Sequence, residues 1–274
     1  MIKLFLKYTK AVAMLILRQN DFGSIEVKRV YESKHFVDDY IPQLELQKPE
    51  LAIIGELKSK LPNLRMLDIG VGAGRTTEHF AGLTKEYIGV DYSSAMIKAC
   101  RLKFPQHRLE VADARDLSLF DDAYFDFVMF SFNGIDSVEH EERIAILREI
   151  RRITIKGGYL FFSTHNLNSW LLNPPFRFSK NPVISYQNIY NFLLNNKVWR
   201  TMKRTTRKPQ YAMVRHTYKD FLFCNYFVTP SEQLKQLQDA GFSNTKAYCL
   251  QNGRVVSDPT NMLDWWVYFL TEAT

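Results

Sequence analysis

The chain has 274 residues, 46% of them hydrophobic and 14% aromatic, which is enough for a packed core and predicts one α/β domain with an appendage. Its net charge of +7 favours acidic partners in general but does not identify nucleic acid. The three cysteines, Cys100, Cys224 and Cys249, are isolated and odd in number, which argues against a disulfide framework or a clustered zinc site and indicates a reducing, cytoplasmic compartment.

The first 18 residues contain three lysines, Lys3, Lys7 and Lys10, followed by the apolar run 11–17. Seven apolar residues are too few to span a bilayer, and no small-residue cleavage site follows. We therefore expect a packed or interfacial amphipathic helix without stable membrane insertion, with an uncleaved signal or weak membrane association as the alternative. Residues 27–60 also show a mixed helical pattern, in which Tyr31 and Tyr40 stand among charges.

A glycine-rich turn follows the first predicted strand. The apolar residues of 66–69 end at this turn, Gly70, Gly72 and Gly74 alternate within it, and a helix-like segment begins at Arg75. Alternate glycines allow a tight turn and let a ligand lie against the backbone, while the helix offers unpaired N–H groups. Dinucleotide-binding enzymes use a similar turn, so the motif is not specific by itself.

Each of four further predicted strands ends in a polar residue. These strands cover 87–90, 109–112, 125–130 and 158–164, and the residues after them are Asp91, Asp113, Ser131 and His165. Helical patterns at 94–104 and 141–153 lie between strands. In an open α/β sheet the ligand binds beyond the carboxyl ends of the strands, and an acid about twenty residues past a glycine turn can accept both hydroxyls of a ribose.

Five motifs in order resemble the class I S-adenosylmethionine-dependent methyltransferases. They cover residues 67–74, 88–93, 112–114, 125–133 and 156–158. The resemblance extends over 64–166, with a weaker match from 226 to the end. It implies a doubly wound, seven-stranded and mostly parallel sheet of Rossmann-like type. It also implies four parts: an N-terminal helical lid (1–60), a cofactor-binding core (61–166), a substrate-covering insert (167–228) and a return to the core sheet (229–274).

The resemblance also assigns a binding site for S-adenosylmethionine. Gly70, Gly72 and Gly74 would admit its methionine portion, and Asp68 would hold the ammonium group. Asp91 would bind the ribose hydroxyls and Asp113 would accept a hydrogen bond from the adenine amine. The flanking residues are Tyr92 and Ala114 beside the adenine ring and Ser131 near the methyl group. Tyr31 and Tyr40 are candidates for the lid, and packing on the sheet explains either of them equally well. For an acid at a strand end, the alternative is a helix cap.

The main rival for this turn is a dinucleotide-dependent dehydrogenase. Its fingerprint spaces the last two glycines as G-x-x-G, whereas Gly72 and Gly74 have one residue between them. The sequence also shows no second mononucleotide-binding half after residue 165. Both observations favour the methyltransferase.

Three residues are candidates for catalysis. Methyl transfer from a sulfonium needs no metal, so positioning and water exclusion supply much of the rate. Asn133 could orient an acceptor, or it could cap the helix entered near Asp136. His165 and, in the insert, His216 are candidate general bases, because histidine titrates near neutral pH. Either histidine could instead be a satisfied structural group.

The insert is where we expect the acceptor to be selected. It is rich in aromatic residues, and alternation over 211–227 predicts two antiparallel strands. Such a surface could enclose a flat small molecule, form the insert's own core or make a dimer contact. The segment 173–176 has the letters of an amine-binding motif, but it follows the fifth strand where that motif follows the fourth, so we interpret it as a proline-rich loop.

The segment 197–208 carries six positive charges in twelve residues. It is the best argument for an RNA-facing enzyme, since interleaved Arg, Lys and Trp suit phosphates and stacked bases. A solvated face, or a grip on an acidic small substrate, explains it equally. No recognised RNA-binding module accompanies it, so nucleic acid is the less favoured partner.

The chain then returns to the core. Thr229 and Glu232 form a capping-box pattern that predicts a helix over 231–240, with Gly241 as its stop. Strands are expected near 245–250 and 265–270, and the resemblance makes the last one antiparallel.

The sequence therefore predicts a cytoplasmic enzyme that transfers a methyl group to oxygen or nitrogen of a small acceptor, which is aromatic or acidic. The alternatives are an RNA methyltransferase and a non-catalytic S-adenosylmethionine-binding protein. An oligomer is left open.

Overall fold

The computed structural model describes residues 31–32, 45–172, 185–186, 188–189, 192–193, 209–218 and 221–274. The segments 1–30, 173–176 and 197–208, together with Tyr40, lie outside these residues, so their interpretations stay predictions. Only the second part of the predicted lid, 45–60, and residues 31–32 are described.

Within the described residues, ten strands form one sheet. They are β1 (Arg65–Ile69), β2 (Glu86–Asp91), β3 (Arg108–Val111), β4 (Phe125–Phe130), β5 (Thr154–Asn166), β6 (Tyr211–Tyr218), β7 (Phe221–Val228), β8 (Phe242–Cys249), β9 (Val255–Val256) and β10 (Trp266–Ala273). The six α-helices with defined bounds are α1 (Lys48–Leu57), α2 (Thr77–Phe80), α3 (Ser94–Lys103), α4 (His140–Ile153), α5 (Leu167–Leu172) and α6 (Pro230–Asp239).

The sheet has the predicted doubly wound order. Its path is β3-β2-β1-β4-β5-β10-β8-β9, and the first five strands of this path are parallel. The strand β10 is antiparallel to both neighbours, β5 and β8, which confirms the expected insertion of the last strand. The predicted α/β architecture is therefore present, and β3 to β8 along this path form its seven-stranded part.

The strand count exceeds the predicted seven. The two residues of β9 pair with the outer edge of β8, and the hairpin β6–β7 joins the sheet where Phe227 pairs with His165. The hairpin confirms the two strands expected at 211–227. Strand β7 runs parallel to the end of β5. Strand β5 is longer than predicted, since it begins at Thr154, before the glycine turn. The turn residue Gly157, with φ of +75°, is accommodated as an irregularity in the pairing of β5 with β4.

The central strands are buried on both faces because helices cover each side. Leu67 of β1 and Val128 of β4 belong to one apolar cluster, while Met66 and Phe127, which precede them by one residue, belong to the other. This period of two turns successive side chains to opposite faces. Polar residues that end these strands therefore meet at the carboxyl edge of the sheet.

Several local predictions are adjusted by the structure. The helix after the glycine turn is a single turn, α2, followed by a 3₁₀ turn at Ala81–Leu83, so it is shorter than the segment expected from Arg75. The helix α6 has the predicted cap, because the Thr229 hydroxyl accepts a hydrogen bond from the backbone N–H of Glu232 at 3.3 Å. Gly241 ends it with φ of +89°.

Across the described segments, no helix has both the length and the apolar character needed to cross a membrane. The same segments contain no cluster of His, Cys, Asp or Glu that could hold a metal ion. Cys100, Cys224 and Cys249 are unpaired in this structure.

Candidate functional site

A cleft opens at the carboxyl ends of β1, β2 and β4. Of the nine residues that the sequence assigned to cofactor binding, seven line it: Gly70, Gly72, Asp91, Tyr92, Asp113, Ala114 and Ser131. Asp68 and Gly74 are not among the lining residues. The sequence therefore located the cleft, and the structure separates the residues in its wall from those behind it.

The glycine turn brings the backbone to the cleft. Gly70 and Gly72 have φ of +67° and +57°, in the left-handed region that side chains other than glycine rarely adopt. A Cβ on Gly70 would lie 3.0 Å from the Phe130 ring. Gly74 differs from Gly70 and Gly72, since it does not line the cleft and a Cβ there would overlap the Phe104 ring at the end of α3. It allows the turn to pack closely on that helix.

Asp91 lies at the end of β2 and joins the turn to α3. Its carboxylate accepts hydrogen bonds from the backbone N–H of Gly72 at 2.9 Å and of Ser93 at 2.8 Å. Burial raises the pKa of Asp91 to about 6, although these two N–H groups act to lower it. Helix α3 is capped by Ser93, whose hydroxyl accepts from the Met96 N–H at 3.2 Å, so Asp91 is not the cap itself.

Asp113 lies on the same wall and is half exposed. Its carboxylate binds the guanidinium of Arg115, with Nη2 and Oδ2 2.6 Å apart, and it also accepts from the Arg115 backbone N–H. Arg115 lines the cleft as well, and hydrogen bonding to Asp113 raises the pKa of Arg115. This ion pair sets the position of Asp113 beside Ala114.

Tyr31 covers the cleft from the N-terminal side. Its ring lies edge-on to that of Tyr92 with 5.9 Å between centroids, and both rings line the cleft. The Tyr31 carbonyl accepts from the Ser93 hydroxyl at 3.0 Å, and Glu32 accepts from the Ser94 backbone N–H at 2.8 Å. Residues 31–32 are thereby attached to the start of α3, and the lid as a whole stays a prediction.

Asp68 lies behind the cleft and is 1% exposed. Its Oδ2 accepts from the Thr76 hydroxyl at 2.5 Å and from the Tyr87 hydroxyl at 2.7 Å. Burial raises the pKa of Asp68 to about 7 despite these bonds. In this arrangement the side chain holds the glycine turn against β2, and its predicted contact with an ammonium group stays a prediction.

A buried ion pair between Glu50 and Arg75 supports the cleft at Ser131. Arg75 Nη1 and Nη2 donate to the two oxygens of Glu50 at 2.6 and 2.7 Å, and the Ser131 hydroxyl donates to the same carboxylate. The guanidinium also lies 4.9 Å from the centre of the Phe132 ring. This ion pair was not predicted from the sequence. The position of Arg75 directly after the glycine motif is the one feature of the sequence that could have indicated it.

The chain turns sharply after β4. Phe132 and Asn133 both have positive φ, +56° and +60°, and the Asn133 backbone N–H donates to the Ser163 hydroxyl at 2.8 Å. The Asn133 side chain makes no capping hydrogen bond to the 3₁₀ turn Gly134–Ser137, so the capping alternative is wrong. Within the described structure, neither atom of its buried amide has a hydrogen-bond partner.

His165 forms a dyad with Asp136. The two atoms His165 Nδ1 and Asp136 Oδ2 are 2.7 Å apart, and the His165 backbone N–H donates to the same oxygen. Asp136 is fully buried, where it pairs with the Arg143 guanidinium and accepts from the Thr164 hydroxyl at 2.7 Å. The Asp136 partner was not foreseen from the sequence.

His165 does not line the cleft, but aromatic rings connect it to the cleft wall. Its ring is 6.0 Å from that of Trp266, which in turn lies 4.9 Å from the ring of the lining residue Phe132. His216 lies on β6, where it pairs with Phe223, and its side chain is outside the described structure. Asn133, between the lining residues Phe132 and Gly134, is therefore adjacent to the cleft, whereas the Trp266 ring separates His165 from the cleft wall. The role of His216 stays a prediction.

Residues 67–162 match the family model described as a methyltransferase domain. Among curated proteins, the chain is 27% identical over 142 residues to the demethylmenaquinone methyltransferase of Renibacterium salmoninarum, covering 48% of this chain and 58% of that protein. It is 27% identical over 132 residues to a ubiquinone biosynthesis O-methyltransferase of Alkalilimnicola ehrlichii, covering 46% and 52%. The chain thus spans about half the length of the curated relatives it matches.

A similar fold occurs in a solved S-adenosylmethionine-dependent methyltransferase of Thermotoga maritima, described as a possible histamine N-methyltransferase. The two share 22% identity over 90% of this chain and 99% of that one, with a TM-score of 0.53. At this identity the likeness concerns the fold.

Proposed function

We propose that this chain contains a class I S-adenosylmethionine-dependent methyltransferase domain. On this premise, the protein methylates a hydroxyl oxygen of a small planar acceptor. The observation that carries the choice of oxygen is the dyad of His165 and Asp136 beside the cleft.

The cleft residues fit S-adenosylmethionine. Gly70 and Gly72 present backbone without side chains at the cleft, and the buried carboxylate of Asp91 faces it from the end of β2. That carboxylate is a suitable acceptor for two ribose hydroxyls. Tyr31, Tyr92 and Ala114 supply the apolar surface that an adenine ring needs, and Asp113 supplies an acceptor for its amine.

When bound, S-adenosylmethionine supplies a methyl group on a positively charged sulfur, which a nucleophile displaces in line. A neutral amine attacks with its own lone pair and loses its proton afterwards. A hydroxyl is a weak nucleophile until a base takes its proton, so a positioned histidine contributes more to oxygen methylation than to nitrogen methylation. His165, which is one aromatic ring away from the cleft wall, is the described histidine that is held by a buried acid.

Asp136 determines which nitrogen of His165 acts. The carboxylate faces the Arg143 guanidinium and accepts the proton of Nδ1, so Nε2 is the nitrogen that takes a proton from the acceptor. The Phe227 ring stacks on the imidazole with 4.6 Å between centroids and fixes its plane. The dyad is therefore oriented before an acceptor arrives, which reduces the cost of reaching the reactive geometry.

The names of the curated relatives support a small acceptor of quinone type, since one is a demethylmenaquinone methyltransferase and the other a ubiquinone biosynthesis O-methyltransferase. The RNA alternative depends on residues 197–208, which lie outside the described structure. We also propose that the enzyme acts in the cytoplasm, because three isolated cysteines suit a reducing compartment.

The test uses two probes on the same ring, catechol and 1,2-diaminobenzene, with S-adenosylmethionine labelled in its methyl group. We expect transfer to catechol and little to the diamine. Replacing His165 by glutamine should lower kcat with catechol by about 10²- to 10⁴-fold, the usual contribution of general base catalysis, with unchanged binding of S-adenosylhomocysteine.

His107→Gln is the matched control, because His107 contacts Tyr87 outside the cleft. Preferential methylation of the diamine, or an undiminished kcat in His165→Gln, would exclude oxygen methylation by this dyad. Tight binding of S-adenosylmethionine without transfer to any acceptor would favour the non-catalytic alternative.

A further inference from the structure

We infer that Trp266 and Asn133 form an acceptor subsite that takes a planar ring carrying a hydroxyl next to a second oxygen. The inference rests on the proposed oxygen methylation and adds to it the chemical class of the acceptor.

Trp266 lies between the cleft and the dyad. It is the first residue of β10 and pairs with His165 of β5, and its ring lies edge-on to the rings of both Phe132 and His165. Although the side chain is half-buried, its indole Nε1 is fully buried and, in the described part of the chain, has no hydrogen-bond acceptor. Indole N–H groups in buried positions usually have a partner.

Asn133 carries the second set of unsatisfied polar atoms. Its side chain is 4% exposed, and both Oδ1 and Nδ2 lack partners in the described structure. Gln233 and Gln236 differ, because each leaves one amide atom unsatisfied but bonds through the other, Gln233 to Arg143 and Gln236 to Tyr226. Asn133 is thus the described side-chain amide that is buried without any hydrogen bond.

Such an arrangement is costly without a ligand. An unsatisfied buried polar group destabilises the folded state, and Asn133 also has a left-handed backbone, which is held by the bond from its N–H to Ser163. The neighbouring Phe132 is left-handed as well and lines the cleft. Unsatisfied groups and backbone strain at one strand end, next to a cofactor cleft, indicate that a ligand completes the hydrogen bonding.

The unsatisfied atoms define the ligand. Trp266 Nε1 and Asn133 Nδ2 are donors, and Asn133 Oδ1 is an acceptor. A hydroxyl that donates to Oδ1, next to an oxygen that accepts from an N–H, satisfies this set. The rings of Phe132 and Trp266 pack edge-on against each other and together offer an apolar surface, which favours a flat ring packed beside them. Catechols and hydroxyquinones have this pattern, whereas a diamine has no oxygen to accept from the indole.

The test measures binding of catechol and of 2-hydroxy-1,4-naphthoquinone to the full chain saturated with S-adenosylhomocysteine, by calorimetry. We expect Trp266→Phe, which keeps a ring and removes the N–H, to weaken both probes about 5- to 10-fold, the effect of one lost hydrogen bond. The control is Trp265→Phe, because Trp265 packs edge-on to Phe227 and its Nε1 is not an unsatisfied buried atom. It should bind both probes as the wild type does.

Asn133→Gly provides a second variant. Glycine accepts the left-handed backbone without strain, so the variant should fold with an unchanged or higher melting temperature and should weaken both probes to a similar degree. Binding of S-adenosylhomocysteine should be unchanged in both variants.

The two proposals fail separately, because probe binding is measured without turnover. Probes that bind the wild type and are weakened in both variants, with no methyl transfer, would leave the subsite in place and remove oxygen methylation. Wild-type affinity in Trp266→Phe and Asn133→Gly would overturn the subsite even where catechol is methylated. Failure of the wild type to bind either probe would also overturn it.

Discussion

The backbone N–H of Gly72 donates a hydrogen bond to the Asp91 carboxylate at 2.9 Å, which joins the glycine turn after β1 to the end of β2 in the wall of the cleft. One side chain therefore shapes the turn and presents an acceptor to the cleft. Asp91→Ala should weaken binding of S-adenosylhomocysteine by about 10- to 100-fold, since hydrogen bonds to charged groups contribute about 1.5–3 kcal/mol. Calorimetric titration measures this effect. Asp122→Ala, at an exposed ion pair with Arg152, is the control and should not change affinity.

The affinity for S-adenosylhomocysteine should also depend on pH through Asp91. Burial raises the pKa of this carboxyl to about 6, so below that pH it carries a proton and loses part of its capacity to accept ribose hydroxyls. A ligand that favours the ionised form should bind progressively more weakly from pH 7 to pH 5, by at most about tenfold per pH unit below the pKa. Asp91→Asn should remove this component. A dissociation constant that stays level over this range in the wild type would contradict the assignment.

Asp68 should make folding stability depend on pH in the opposite way to a salt-bridged acid. Its pKa is raised by burial to about 7, so between about pH 4 and pH 7 the folded state holds a proton that the unfolded chain has released. The contribution of Asp68 to the free energy of unfolding is therefore largest at about pH 4 and below, and it decreases as the pH rises to 7. Relative to the wild type, Asp68→Asn should gain up to about 1.4 kcal/mol of stability per pH unit over that interval.

Urea unfolding at pH 5 and pH 7 checks this prediction. The amide oxygen that Asp68→Asn introduces can still accept from Thr76 and Tyr87, so the comparison isolates the ionisation. Asp122→Asn is the surface control. A stability difference between Asp68→Asn and wild type that is the same at both pH values would show that Asp68 is ionised in the folded protein.

The carboxyl edge of the sheet could be predicted because it depends on local patterns. Apolar strands that end in Asp91, Asp113 and Ser131 place these residues in one cleft whatever the details of packing. Spacing alone does not show which residue of a turn faces the ligand, and so Asp68 and Gly74 lie behind the cleft although the motif contains them.

Contacts between distant residues could not be predicted. Glu50 and Arg75 are 25 residues apart and Asp136 and His165 are 29 apart, and neither pair has a periodic signal. Each pair forms because the sheet order brings two segments together after folding. The strand β9 and the attachment of β7 to β5 likewise depend on edge pairing that a single sequence does not encode locally.

The buried pair of Arg143 and Asp136 should matter more for stability than an exposed pair on the same helix. Both side chains of this pair are fully buried, and Arg143 also donates to Thr164 at 3.1 Å and to Gln233 at 2.5 Å. Arg143→Met leaves the Asp136 charge without its partner, which should cost about 3–5 kcal/mol of unfolding free energy. Arg152→Met, which removes partly exposed pairs with Asp122 and Glu149, should cost at most about 1 kcal/mol for each pair.

Both substitutions place the same side chain on α4, so helix propensity cancels in the comparison. Chemical unfolding of the two variants measures the difference. Equal losses would mean that the Asp136 charge finds another partner or takes up a proton in the folded state.

Gly74 should be essential for packing the glycine turn on α3. Gly74 has φ of +93°, so any other residue at this position would have to adopt a strained left-handed backbone. A Cβ there would also overlap the Phe104 ring and lie 2.9 Å from Cys100 Sγ. Gly74→Ala should therefore lose about 2–5 kcal/mol of stability, the sum of the backbone strain and the overpacking. Gly82→Ala is the control, because nothing lies within 4 Å of its Cβ position, and its effect should stay within about 0.5 kcal/mol. Gly74 does not line the cleft, so a folded Gly74→Ala protein should lose affinity for S-adenosylhomocysteine only through distortion of the turn. A large loss of affinity together with wild-type stability would contradict this and would place Gly74 in contact with the ligand.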